Sequence, residues 1–147
     1  MGAKALADYA DGLDDEQWSR PVAGDGRPVG VVVHHVASAY PIEVDLAEKL
    51  GTGEAIEGVG WSAIHEMNAV HASEHASASK ASALELLRNN SEEAAARVRG
   101  MTDEQLDSAA TVSLNGDAPL TAQFFIEDHA LRHSFHHLSK IRATLAD

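Results

Sequence analysis

Three long stretches of this chain repeat apolar residues at helical spacing, and that periodicity limits the fold more than any other feature. The first opens near Pro28, a residue suited to a first helical turn, and runs VGVVVHHVASAYPIEVDLAEKL to Leu50, with Gly51 as a natural residue past its end. Its valine run reads as strand by propensity, but the apolar pattern continues through Val36, Tyr40, Val44 and Leu46, which favours helix. Pro41 is expected to kink or split it. The second stretch, Ser62 to Leu87, is dense in Ala and holds no Pro or Gly. Asn89-Asn90 is expected to end it, and Ser91 to open a short helix that runs to Arg99 and is closed by Gly100. The third starts near Pro119 and runs to Leu145. A shorter candidate, Ala3 to Ala10, sets Leu6, Tyr9 and Ala10 on one face and is ended by Gly12.

Between these stretches, Asp14-Asp-Glu-Gln17 and Thr102-Asp-Glu-Gln105 both read as capping boxes. Pro21, Gly24-Asp-Gly26 and the Gly-rich segment Gly51 to Gly60 read as loops, Thr111 to Leu114 as a short extended piece, and Asn115-Gly116-Asp117 as a turn. The expectation is a single all-α domain over residues 1–147, an antiparallel four-helix bundle with a shortened first helix. Three long helices with broad apolar arcs leave one flank thinly covered, so a homodimer is expected. The alternative is that the loop from Asp14 to Pro28 folds over the gap with Trp18 as its anchor.

Charge and cysteine content narrow the function. With 11 Lys+Arg against 23 Asp+Glu, the formal charge is −12, a surface that repels phosphate backbones and anionic lipid. The nearest basic cluster, Arg132, Lys140 and Arg142, is interspersed with Glu127 and Asp128, so neither nucleic acid nor membrane is expected as a partner. Cysteine is absent, which excludes a protein thiolate as nucleophile and any disulfide. No signal-peptide core stands near the start, and the expected location is the cytoplasm.

Nine histidines stand in this chain, all of them inside the long helical stretches. His34 and His35 lie in the first, His65, His71 and His75 in the second, and His129, His133, His136 and His137 in the third. On a helical wheel of the third stretch, Phe124, Leu131, Phe135, Leu138 and Leu145 share a face read as core, which Ile126, Ala130 and Ile141 extend to one side. His133 and His137 border that extension one turn apart, while His129 and His136 point toward solvent. Two neutral imidazoles at i, i+4 are a common way for a helix to supply two ligands to one metal ion, and a third ligand then comes from another element. The first stretch offers His34 or His35. His65, His71 and His75 read as surface or pocket-wall residues. Glu127 lies nearer the apolar arc than a solvated carboxylate should, so it is a candidate auxiliary catalytic group; Asn68 and His71 are candidates to line a substrate or cofactor pocket.

DDEQWSRPV followed by VGVVVHHVA, then WSAIHEMNAVHASEHASASKASALELLRNN, then FFIEDHALRHSFHHLSKIRATL, together resemble three successive helices of the DinB-like (YfiT-like) superfamily of metal-binding four-helix proteins. The likeness is to an actinobacterial branch related to the mycothiol-dependent maleylpyruvate isomerase N-terminal domain. Carried over residue by residue, the resemblance implies a metal triad of His35, just before Val36-Ala37, with His133 and His137, the latter just before LSKI; His34 is then not a ligand. It implies a divalent ion, nickel or zinc, and an activity as a metal-dependent hydrolase or as a transferase of a low-molecular-weight thiol such as mycothiol or bacillithiol. Small-molecule substrate or thiol would be the partner. The rival expectation is a non-catalytic metal-binding or sensor module. The sequence departs from the family in its first helix, which is usually longer than the roughly ten residues before Gly12.

Overall fold

The computed structural model of the chain describes residues 2–146. The core is built from α1 (Gly2–Asp11), α3 (Val29–Gly51), α5 (Lys80–Gly100) and α8 (Arg132–Leu145). Helix α1 packs against α5 and α8, and α3 packs against the same two from the other side, so the four close a ring. The architecture is the expected all-α four-helix bundle with a short first helix. Its interior is a cluster of Leu6, Val29, Val32, Val33, Val36, Leu84, Leu87 and Ile141, with Tyr40 and Leu138 at its margin. A second cluster lies toward the end of α3, where Ala47 and Leu50 meet Ile56, Val112, Ala122, Phe125 and Ile126.

The two capping boxes are present. Asp14 caps α2 (Asp15–Ser19) and Thr102 caps α6 (Asp103–Asp107), each reciprocated by the glutamine three residues on. Helix α2 brings Trp18 against the bundle: a Cβ at Gly30 would stand 2.4 Å from its indole, so only glycine admits this contact. Trp18 therefore seats the Asp14–Pro28 segment on α3 within the chain.

Four local expectations are corrected. Helix α3 runs unbroken through Pro41, and α5 runs unbroken through Asn89-Asn90. A proline in a helix interior leaves the carbonyl four residues earlier without its partner, here that of Ala37. Asn90 Nδ2 donates to that carbonyl at 2.9 Å. The stretch read as one helix from Ser62 to Leu87 divides into α4 (Trp61–Glu74) and the start of α5, because Ser79 caps α5 by accepting from Ser82 N. Pro119 opens not a helix but β2 (Pro119–Thr121), antiparallel to β1 (Ala109–Thr111). Two turns follow it, α7 (Ala122–Phe125) and a π-helical segment, Ile126–Leu131, which leads into α8.

The core face of α8 also differs from its wheel. Phe124, Leu131 and Phe135 are each about half exposed, and the interior face carries Ala130, Ser134, His137, Leu138 and Ile141. The reason is two buried polar residues. Ser134 shares a hydrogen bond with the Tyr40 hydroxyl inside the bundle, and His137 turns into a cavity, so the inward face is not the most apolar one. Among the described residues, no helix is long and apolar enough to cross a membrane.

Candidate metal centre

Residues one or two helical turns apart on α3, among them His35, Ala39, Ile42, Glu43 and Leu46, face a cavity of about 780 Å³ between α3, α4 and α8. The cavity floor near the second apolar cluster is Ile56, Val112 and Phe125. From α8 and the π-helical segment come His129, His133, His136 and His137; from α4 come Ile64, Asn68 and His71. Helix α4 contributes these without a single buried residue, so it is a wall of the cavity rather than a core element.

His35, His133 and His137 converge. Their ring centroids stand 4.8–5.6 Å apart, and one nitrogen from each lies within 4.8 Å of the others. The i, i+4 spacing on α8 stacks two of them, and α3 crosses to supply the third. Adjacent His34 points away from this group, toward His71 and His75. His65 lies on the cavity wall, exposed.

The three residues fit a divalent ion on two observations. His137 Nδ1 is buried and has no hydrogen-bond partner. His133 Nδ1 donates to Glu43 Oε1 at 2.8 Å, which fixes the ring and leaves Nε2 as the lone-pair nitrogen. A carboxylate behind an imidazole is the usual way a metal-binding histidine is oriented and made more basic. Burial pushes the His35 and His137 imidazoles down to about 3, and the neighbouring His133 adds to the shift in both. Both are therefore neutral near pH 7, as metal ligands must be.

Glu43 is a residue the sequence reading missed. It lies two turns beyond His35 on the same face of α3, and that spacing was the available signal. Glu127, expected as the auxiliary carboxylate, is exposed and accepts from Gln123 Nε2 at 2.9 Å, off the cavity wall. The structure thus corrects the carboxylate beside the imidazoles to Glu43. Asn68 and His71 both line the cavity.

Arg27 reaches the cavity from the loop before α3. Its Nε and Nη2 donate to the two oxygens of Asp25 at 2.6 and 2.8 Å, and this guanidinium holds the Asp25 carboxyl down to about 2. Its Nη1 is buried without a partner, a cationic donor left open.

A family profile described as the DinB superfamily matches residues 2–141. No curated protein sequence matches the chain. Among solved structures, YfiT from Bacillus subtilis, described as a probable metal-dependent hydrolase with an unusual four-helix bundle topology, superposes with a TM-score of 0.73 at 21% identity, over 97% of this chain and 79% of that one. The mycothiol-dependent maleylpyruvate isomerase superposes with a TM-score of 0.72 at 13% identity, over 95% of this chain. The chain spans only 56% of the length of that isomerase. At these identities the likeness is one of fold.

Proposed function

The chain belongs to the DinB superfamily, and from that premise we propose that it is a divalent-metal enzyme of the cytoplasm that joins a low-molecular-weight thiol, such as mycothiol or bacillithiol, to a small electrophile. The observation that carries this reading is the convergence of His35, His133 and His137 on one wall of a cavity of about 780 Å³. Nickel or zinc suits three neutral imidazoles. Bound there, such an ion supplies Lewis acidity, which lowers the pKa of a thiol or water brought beside it.

The chain's own groups do the rest. Glu43 holds the His133 ring in place. Ile42, Leu46, Val112 and Phe125 give the acceptor an apolar bed that limits competing water. Arg27 Nη1 offers a charge-assisted hydrogen bond to a carboxylate on either partner, inside a protein whose net charge of −12 otherwise repels anions. In the transfer, the S–H proton leaves to solvent through the cavity mouth. The sulfur electron pair forms the C–S bond, and an alkene acceptor takes up one proton at its neighbouring carbon. With no cysteine in the chain, that sulfur comes from outside.

Hydrolysis is the second reading. A water nucleophile needs only about 30 Å³, so cavity size favours the larger thiol. Metal-stripped protein reloaded with zinc or nickel is assayed with each thiol and an aromatic or alkene electrophile, and separately with a nitrophenyl ester without thiol. Metal-dependent thiol consumption that disappears in His133→Ala/His137→Ala is the expected result. Ester cleavage alone would replace the transferase by a hydrolase. Metal bound with neither activity would overturn both and leave a binding module.

A further inference from the structure

His34, His71 and His75 form a second cluster of imidazoles outside the metal centre already described. His71 lies in the last turn of α4 and His75, four residues on, is the residue that caps its C-terminus; His34 meets them from α3. His34 and His75 stack with centroids 4.0 Å apart, His71 and His75 stand at 4.6 Å, and His34 and His71 at 5.1 Å. One nitrogen from each lies within 4.8 Å of the other two. All three side chains are half-buried, and none is paired with a carboxylate. Hydrogen bonding leaves the cluster incomplete. His34 Nδ1 and His71 Nε2 share one proton at 2.9 Å, while His71 Nδ1 is buried with no partner.

We propose that His34, His71 and His75 bind a second divalent cation of the zinc–nickel–copper class, which fastens α4 to the bundle. Three neutral imidazoles from two elements are a donor set for such ions, with a fourth position left to solvent. Bond lengths of 2.0–2.1 Å in a tetrahedral site set ligand nitrogens about 3.3 Å apart. The His34–His71 pair therefore has to part by only a few tenths of an ångström to admit the ion. The need for a fastening is visible in α4 itself. It has no buried residue, and among the described residues the His34–His71 bond is the only side-chain hydrogen bond that ties it to another helix. Adjacent His34 and His35 serve the two sites separately, since neighbouring helical residues point about 100° apart. The two sites share a wall, with His35 and His71 at 5.6 Å between centroids. The inference does not depend on the catalytic reading above.

Metal-stripped full-length protein is titrated with zinc, the ion bound after gel filtration is counted by mass spectrometry, and hydrogen exchange of α4 amides is followed. Two ions per chain are expected in the wild type and one in His71→Ala/His75→Ala. Slowed α4 exchange on zinc addition is expected in the wild type and in His133→Ala/His137→Ala, but not in His71→Ala/His75→Ala. One ion per wild-type chain, or α4 protection by zinc that persists without His71 and His75, would overturn the second site. Two ions retained by His133→Ala/His137→Ala would instead sink the first triad and leave this one standing.

Discussion

Asn90 on α5 donates its side-chain amide to the Ala37 carbonyl on α3 at 2.9 Å, filling the vacancy that Pro41 makes in the helix ladder. Two residues that punctuate the sequence as helix breakers thus answer each other across the bundle. Asn90→Ala is expected to destabilise the protein by about 1–3 kcal/mol, because it strands a buried carbonyl. Pro41→Ala restores an N–H to that carbonyl, so it should recover much of the loss in the Asn90→Ala background. Urea unfolding of the four members of this cycle checks it, and additive effects would show the two residues to be uncoupled.

Glu43 should matter to metal affinity rather than to folding. Removing the carboxylate behind a metal-binding histidine typically costs about 10–100-fold in affinity. Glu43→Ala is therefore expected to release zinc to a competing chelator at correspondingly lower chelator concentration, with unchanged helical circular dichroism. Glu127→Ala, whose carboxylate is exposed, should leave affinity as it is. Equal affinity in wild type and Glu43→Ala would refute the assignment.

The metal-free protein should lose stability as pH falls. His35 and His137 sit at about 3 when folded, against an ordinary 6.5, because burial disfavours their charged forms. Below pH 6.5 the unfolded chain therefore takes up protons that the folded one refuses, so stability rises with pH across this window. Stability is full above about 6.5 and is lost progressively toward about 3. His71, lowered to about 4 by burial first and then by His34, acts in the same direction but is more open. Thermal melts at pH 7.5, 6.0 and 5.0 should show a midpoint falling by several degrees. His35→Asn/His137→Asn should flatten that trend. At pH 7.5, chelation should leave the helical signal intact, since the apolar clusters enclose the core without an ion; a collapse would make the site structural.

A homodimer remains the expected assembly. The flank near α1 is closed within the chain by α1 and Trp18, so the reason shifts to the half-exposed Phe124, Leu131 and Phe135 of the last helical segments. Light scattering at micromolar concentration should give twice the chain mass, and Leu131→Asp should halve it. A wild-type mass near 15.6 kDa would refute the dimer.

Capping boxes at Asp14 and Thr102 act through local backbone donors, so spacing alone located them. Periodicity located α3 for the same reason: its valines are buried whatever else packs there. Pro41 and Asn90 misled because their resolution is a contact between residues 53 positions apart. The face of α8 misled because Ser134 and His137 are inside while Phe124 and Leu131 are not, and an apolar wheel has no means to score a polar residue whose partner lies on another helix. Glu43 is the same case. Its role depends on His133, and the spacing from His35 that sets Glu43 on the site face of α3 gains meaning only once His35 is placed beside α8.

The π-helical segment Ile126–Leu131 has a consequence for how this chain tolerates length changes. A wide turn holds one residue more than an α-helical turn over the same rise, which is the signature of a single-residue insertion accommodated in place. Deleting one of its six residues would let the turn close to ordinary helical geometry with the downstream helix near its present aim, whereas losing a second would turn everything downstream by about 100° relative to α7. Phe125 and Ile126 would then stay in their apolar cluster only if His133 and His137 swung away from His35. Length through this segment is thus under a constraint that composition is not: it can give up the one extra residue its wide turn holds, and any further loss costs the aim of two imidazoles.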